Sequence, residues 1–139
     1  MGEISKQVTI NAPAKKIYNY VVDPHNAPRY ISSITRVISG PKGKQTKGDV
    51  WRAEANFFGQ TRVLNLRLDE TLANRLVRFA LDGDPQAMLL LQLKPDGDAD
   101  ETTVSLTLDV PSVPTIFLGA LLGGLLSDDL DRLRQTLES

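Results

Sequence analysis

The sequence predicts an α+β domain in which a curved, seven-stranded antiparallel sheet wraps around one long C-terminal helix. Two short helices are expected between the first and second strands. Turn signals divide residues 34–110 into short segments, which is typical of antiparallel strands. A leucine repeat with the 3.6-residue period of one helix face follows. Its members are Leu118, Leu122, Leu126, Leu130, Leu133 and Leu137. We expect residues 1–139 to form one domain around one core.

The N-terminal region reads as one strand followed by two short helices. Residues 4–10 alternate between apolar and polar side chains, as a half-buried strand does. Asn11 is a candidate N-cap, and Pro13 stands near the first helical position. Asp23-Pro24 ends this helix, and a second helical turn is expected over 25–33. Both helices are too short to bury much surface alone, so we expect them to close one end of the sheet.

Six further strands complete the predicted sheet. Glycine, proline and aspartate clusters mark the turns between them. The strands are expected near 34–40, 49–57, 60–71, 75–82, 87–94 and 102–110.

The hairpin around Gly59 has two possible registers. With Phe58-Gly59 as the two-residue loop, Ala53 lies opposite Leu64, and with Gly59-Gln60 it lies opposite Leu66. In both registers one face of the two strands is apolar, and the C-terminal helix is expected to cover it. The residues on this face are Trp51, Ala53, Ala55, Leu64, Leu66 and Leu68.

Side chains alternate between the two faces along a strand, and this alternation places the charged residue Arg62 on the apolar face as well. Two explanations stay open at this point. Its side chain reaches water from the nearby hairpin end, or it anchors a carboxylate or phenolate group of a bound ligand.

The first half of the C-terminal helix is unusually apolar and rich in glycine. Between Val113 and Leu126, Thr115 is the only polar side chain, and each helical glycine costs about 1 kcal/mol relative to alanine. Three explanations stay open: close packing against the sheet, space for a ligand beneath the helix, or a kink at Gly123-Gly124. In the second half, the acidic residues are expected on a solvated face, with Arg132 paired to Asp128 at i, i+4. These residues are Asp128, Asp129 and Asp131.

Composition excludes several classes of function. A net charge of −1 argues against nucleic acid as a partner, and the absence of cysteine excludes disulfides and thiolate metal sites. His25 is the one histidine and lies in a proline-flanked turn, so the residues for a nucleophilic triad and for a metal site are lacking. The glycine-rich motif of a phosphate-binding loop is also missing from the sequence. We expect no metal and no cofactor.

Localisation and assembly follow from similar reasoning. About 14 apolar residues in the C-terminal helix are fewer than the ~20 that a bilayer span needs, so no transmembrane segment is expected. No signal-peptide pattern precedes the first strand. We therefore expect a cytoplasmic protein that is a monomer or a homodimer.

Three passages together resemble one known superfamily. They are Val8-Thr9-Ile10-Asn11-Ala12-Pro13-Ala14 followed by Ile17-Tyr18, then Val22 to Tyr30, and Lys47-Gly48-Asp49-Val50-Trp51. With the order of elements, they resemble the helix-grip fold of the START/birch-pollen-allergen superfamily (SRPBCC), in its polyketide cyclase/dehydrase-like branch. The resemblance covers essentially the whole chain.

The resemblance implies a deep pocket between the sheet, the helix pair and the long helix. Such a pocket holds a lipid, sterol, polyketide or similar apolar molecule. The candidate ligand-binding residues are then Ile17, Tyr18, Val21, Tyr30, Trp51, Ala53, Ala55, Arg62, Leu64, Leu66, Phe79, Leu118, Gly119, Leu122 and Gly123.

Three functions stay open after the sequence alone. The chain binds or transports a small hydrophobic ligand, or it is an enzyme of the aromatase/cyclase or dehydratase kind. In the third, it is a module without a ligand that interacts with a protein or a membrane. No catalytic residue can be named from the sequence, because cyclase-like chemistry depends on positioning in a dry cavity more than on a motif.

Overall fold

The computed structural model describes residues 2–43, 45–57, 59–83, 86–96 and 100–138, and the side chains within these ranges except those of Phe57, Thr115, Phe117, Leu118 and Leu121. In these ranges the chain forms an antiparallel sheet, two α-helices and one 3-10 helix. The strands are β1 Gly2–Ile10, β2 Ile34–Ser39, β3 Val50–Phe57, β4 Gln60–Leu72, β5 Leu76–Asp82, β6 Ala87–Pro95 and β7 Thr102–Val110. The helices are α1 Ala14–Val21, the 3-10 helix Pro24–Arg29 and α2 Thr115–Glu138.

The sheet is a meander that the first strand closes at one side. The described strands are ordered β1-β7-β6-β5-β4-β3-β2 and all pair antiparallel. β1 pairs with β7 along its whole length, from Gly2 opposite Val110 to Ile10 opposite Thr102. Register shifts in β2 and between Leu68 and Glu70 of β4 add the local bend and twist of a curved sheet. The predicted helix-grip fold, with its strands and short helices, is confirmed.

The β3–β4 hairpin takes the first of the two predicted registers. Phe57 pairs with Gln60, and Ala53 lies opposite Leu64. This is the register that a Phe58-Gly59 loop predicts, although Phe58 itself lies outside the described residues. Gly59 has φ +79°, a left-handed value that glycine adopts without steric cost. The register with Gly59-Gln60 as the loop is wrong.

The core lies on one face of the sheet, because side chains alternate along every strand. Each strand from β3 to β7 buries three or four apolar residues on this face, and leucines of α2 join them. The buried residues of the sheet include Trp51, Ala53, Ala55, Leu64, Leu66, Leu68, Val77, Phe79, Leu81, Leu89, Leu91, Leu93, Val104, Leu106, Leu108 and Val110.

The short helices begin differently from the sequence prediction. The N-cap of α1 is Pro13, which has no side-chain cap, so the prediction of Asn11 as the cap is wrong. The backbone N–H of Asn11 instead donates to Glu138 Oε2 at 2.8 Å. Asp23 caps the 3-10 helix by accepting from the backbone N–H of His25 at 3.0 Å.

α2 is a continuous helix that passes through Gly123 and Gly124 without a break. Among the strands, β1 at the edge of the sheet is closest to α2, and β7 is second closest. The middle strands β5 and β6 contact α1. A Cβ atom at Gly123 would stand 3.4 Å from Ile4 Cδ1, and one at Gly119 would stand 4.0 Å from it. Both glycines therefore face Ile4 of β1, at distances where a Cβ atom would make ordinary van der Waals contact.

Candidate functional site

A cavity lies beneath the middle of α2. One wall comes from α2 itself, a second from the segment after the 3-10 helix, and the third from the inner faces of β4 to β7. The described lining residues are Ile31, Ser33, Ile34, Leu64, Leu81, Ala87, Leu89, Leu108, Val110, Val113, Leu122, Leu125, Leu126 and Asp129.

The cavity is small, with a volume of about 80 Å³. Sites for drug-sized ligands start at about 300 Å³, whereas an engineered apolar cavity of about 150 Å³ suffices for benzene. The space therefore fits a small apolar group in this conformation. A larger ligand requires α2 or the segment 31–34 to move outward.

The lining is almost entirely aliphatic because the strands present their inward positions to it. Leu81 and Ala87 lie opposite each other on β5 and β6, and Leu89 lies opposite Leu108 on β6 and β7. Such a lining offers water few hydrogen bonds, so it favours apolar occupants. Among the described lining residues, Ser33 and Asp129 carry the polar side chains.

Asp129 is the one ionisable side chain among the described lining residues, and it is only 1% exposed. Its Oδ1 accepts a hydrogen bond from the Ser32 backbone N–H at 3.2 Å and another from Arg132 Nη1 at 3.4 Å. The prediction that Asp129 belongs to a solvated helix face is wrong, and the predicted partner of Arg132, Asp128, is replaced by Asp129 at i, i+3.

Burial dominates the electrostatics of Asp129. Desolvation raises the pKa of its carboxyl group above the ordinary value of 3.8, because an apolar environment disfavours the charged form. Hydrogen bonds from Ser32 and the positive charge of Arg132 act in the opposite direction. The Arg132 side chain is 44% exposed, so water screens much of its charge. The carboxyl group is therefore easier to protonate than an exposed one.

Two tyrosines lie behind Asp129. The rings of Tyr20 and Tyr30 are 6.0 Å apart, and the Tyr30 carbonyl oxygen accepts from Arg132 Nη1 at 3.4 Å. Burial raises the pKa of the Tyr30 phenol, with smaller contributions from Tyr20 and Asp129, so the phenol stays neutral. The buried Tyr20 hydroxyl has no hydrogen-bond partner in the described part of the chain.

The predicted site residues divide into three groups. Leu64 and Leu122 line the cavity, while Tyr18 is half-buried at the edge of the core. A second group is buried in the core without lining this cavity. It comprises Ile17, Val21, Tyr30, Trp51, Ala53, Ala55, Leu66 and Phe79.

The third group, Arg62, Gly119 and Gly123, lies away from the cavity. Arg62 is exposed and donates to Gln60 Oε1 at 2.7 Å, which agrees with the explanation that its side chain reaches water. Gly119 and Gly123 face Ile4 of β1. The side chain of Leu118 lies outside the described residues.

Sequence reasoning missed most of the lining for an identifiable reason. The period of two along a strand also places Leu81 and Leu108 on the apolar face, but it does not say which end of that face the helices leave uncovered. Asp129 had a usable signal. It stands three residues after Leu126 and four before Leu133, so helical geometry places it on the apolar stripe despite its charge.

Other candidate chemistry is absent from the described residues. His25 is half-buried and pairs with Asp23 at 3.0 Å, outside the cavity lining. In the described ranges, acidic and histidine side chains nowhere form a group of three that could hold a metal ion. No helix among these residues has the length and apolar character to cross a membrane.

Comparison with known families gives a match that covers nearly all of the chain. The family described as "Polyketide cyclase / dehydrase and lipid transport" matches residues 1–138. A search of curated proteins finds no match.

Solved structures share the fold at low sequence identity. A START superfamily protein from Mycobacterium smegmatis superposes with a TM-score of 0.80 and 22% identity, covering 99% of this chain and 98% of that one. The Zhui aromatase/cyclase from Streptomyces sp. R1128 gives 0.74 and 18%, covering 98% and 93%. The Aha1 dimer from Colwellia psychrerythraea gives 0.72 and 18%, covering 99% and 97%.

Proposed function

The chain belongs to the polyketide cyclase/dehydrase and lipid transport family of the START/birch-pollen-allergen superfamily, and from that premise we propose that it binds a small apolar molecule in the cavity beneath α2. The observation that carries the proposal is the aliphatic lining of that cavity. The described lining residues come from five strands, two loops and one helix, so no single element accounts for the space.

Energetics support the proposal. Leaving 80 Å³ unfilled costs about 2 kcal/mol at ~24 cal/mol per Å³. That is a sizeable part of the 5–15 kcal/mol by which domains are typically stable. An apolar ligand would recover part of this free energy, because it restores the missing van der Waals contacts.

The test is a ligand titration with a cavity-filling variant. Ala87 faces the cavity from β6, so Ala87→Leu places a larger side chain in the space. We expect wild type to bind 1-octanol with an outward movement of α2 or the segment 31–34, detected as saturating shifts of backbone amide signals around residues 31–34 and 122–129. The Ala87→Leu variant should bind at least about tenfold more weakly, because its side chain occupies the ligand's volume.

The matched control is Ala120→Leu, which makes the same change on the exposed side of α2. It should bind 1-octanol like wild type. Equal binding by all three proteins would place the ligand elsewhere. No binding by wild type, together with no apolar molecule in native mass spectra of protein from its own host, would favour the interaction module instead.

Asp129 favours a second candidate, an enzyme of the cyclase or dehydratase kind. A buried carboxyl group whose pKa is raised by desolvation is a stronger proton acceptor than an exposed one, and enolisation of a β-diketone requires a group that accepts and returns a proton. Wild type should then speed the exchange of the α-hydrogens of 2,4-pentanedione with deuterium from D₂O, and Asp129→Asn should not. Exchange at the buffer rate with both proteins would reject this candidate.

A further inference from the structure

Asp129 is a charged side chain at a position where packing asks for an apolar one. Leu126 and Leu133 precede and follow it on the same helical stripe, and both are buried. A leucine at 129 would continue the stripe without the desolvation that a buried carboxylate suffers. The carboxyl group therefore needs a reason other than core packing.

One part of that reason is structural. Asp129 Oδ1 holds the Ser32 backbone N–H, which fixes the segment between the 3-10 helix and β2 against α2. An asparagine or a neutral carboxyl would serve this hydrogen bond equally well, since each offers an acceptor oxygen. The hydrogen bond alone does not require a group that carries a charge.

The position of the carboxyl group also exposes it to whatever fills the cavity. A carboxylate has about four acceptor sites, and the hydrogen bonds from the backbone and the side chain of Ser32 and from Arg132 account for three of them. Asp129 therefore keeps acceptor capacity toward the cavity that it lines.

The surrounding charges determine which ligand group the carboxylate favours. On its own helix it faces Arg132, which is already engaged, and Asp128 adds negative potential. From the opposite segment it meets Ser32 and the neutral phenol of Tyr30. The described lining on β4 to β7 offers aliphatic side chains and no cation.

On these grounds, and resting on the proposed function, we propose that Asp129 determines the ligand class: the cavity selects apolar molecules that end in a hydroxyl group and rejects those that end in a carboxylate. A hydroxyl donates a charge-assisted hydrogen bond to the carboxylate. A ligand carboxylate would bring a second negative charge into the same small space, and one of the two groups would have to take up a proton.

The test compares three ligands with the same chain length at neutral pH: 1-octanol, octanoate and methyl octanoate. We expect wild type to bind 1-octanol at least about tenfold more tightly than octanoate, because of charge repulsion. Methyl octanoate is neutral but has no donor, so its affinity should lie between the two. Amide chemical-shift titration gives each dissociation constant and the location of binding.

The variant Asp129→Asn keeps an acceptor for Ser32 and removes the charge. It should bind octanoate and 1-octanol within about threefold of each other, since the repulsion is gone. Asp128→Asn is the control. It makes the same change one residue earlier on the exposed side of α2, and it should keep the discrimination of wild type.

The outcomes separate this inference from the function on which it rests. If wild type binds octanoate as tightly as 1-octanol, and Ala87→Leu weakens both, the ligand site stands and the role of Asp129 is overturned. If no ligand binds, the proposed function fails as well. Should Asp129→Asn not fold, the comparison of 1-octanol with methyl octanoate in wild type still tests the preference for a hydroxyl group, because neither ligand is charged, and equal affinities would overturn it.

Discussion

A carboxyl group at position 129 makes the stability of the protein depend on pH. Its pKa is higher in the folded chain than the ordinary 3.8, so the folded chain holds this proton up to a higher pH than the unfolded chain does. The contribution to stability is therefore fully present below the unfolded pKa and is lost as the pH rises through the folded pKa. At neutral pH the ionised group is a net cost.

The variant Asp129→Asn tests this cost. At neutral pH its free energy of unfolding should exceed that of wild type by about 1 kcal/mol, because asparagine keeps the acceptor for Ser32 and avoids burying a charge. The gain should shrink as the pH falls and wild-type Asp129 becomes protonated. Urea unfolding at several pH values measures both effects. A variant less stable than wild type at neutral pH would contradict this reasoning.

Single residues are where prediction from sequence was weakest. Arg62 and Asp129 are both charged residues placed by their period on an apolar face, yet one is exposed and the other is 1% exposed. Arg62 is close to a hairpin end and has a long side chain that reaches water. Asp129 has a short side chain in the middle of α2 and cannot reach water from there. The 3.6-residue period of the helix therefore determines that it is buried, despite its charge.

Among the elements, α2 combines two kinds of glycine. Gly123 is buried against Ile4 of β1, whereas a Cβ at Gly124 would have no neighbour within 4 Å apart from its own helix. At Gly123 a Cβ atom would just reach van der Waals contact with Ile4, so larger side chains would be forced against β1. Gly124 costs helix stability and has no packing role.

Substitutions at the two positions should therefore have opposite effects. Gly124→Ala should raise the free energy of unfolding by about 1 kcal/mol through helix propensity. Gly123→Leu should lower it by about 1–3 kcal/mol, because the side chain is forced against β1. Thermal and urea unfolding report both changes.

Ligand titration adds a check on the same pair. Gly123 faces β1 and not the cavity, so a correctly folded Gly123→Leu protein should still bind 1-octanol. Loss of binding with an unchanged fold would indicate that the glycine face of α2 contacts the ligand.

The elements themselves were largely predictable. Alternation along the strands has a period of two and turn residues interrupt it, so strand bounds agree within two residues throughout. The sequence predicts the first α-helix but not its cap, because the helix begins at Ala14 and its N-cap is Pro13, two positions after Asn11. The Asn11 backbone N–H donates to Glu138 from the other end of the chain, a long-range contact that no local pattern contains.

For the whole molecule, the cavity places stability and binding in opposition. Ala87→Leu should raise the free energy of unfolding by up to about 2 kcal/mol if its side chain fills the space without strain. The same variant should lose affinity for 1-octanol. Unfolding and binding measured on one preparation test both. A less stable variant with unchanged binding would show that the side chain does not enter the cavity.

The position of the cavity was not predictable from sequence, in contrast to the apolar face that contains it. Leu64 and Leu122 were identified because they lie on periodic stripes, but so do many residues that are simply packed. Which of these periodic residues border empty space depends on how much of the apolar face α1, the 3-10 helix and α2 each cover, that is, on how the helices divide this face. That division is a property of the assembled tertiary structure.

The pairing of β1 with β7 has a consequence for how the chain acquires its structure. Residues of β1 pair with residues about a hundred positions later in the chain. For example, the Ser5 hydroxyl contacts the Thr107 hydroxyl at 3.0 Å. α2 then packs on β1, and Lys16 Nζ reaches the Leu137 carbonyl oxygen at 2.9 Å. During synthesis β1 therefore leaves the ribosome as an unpaired edge long before its neighbours exist. The high contact order predicts slow, late and cooperative closure, with the first strand exposed to chaperones until then.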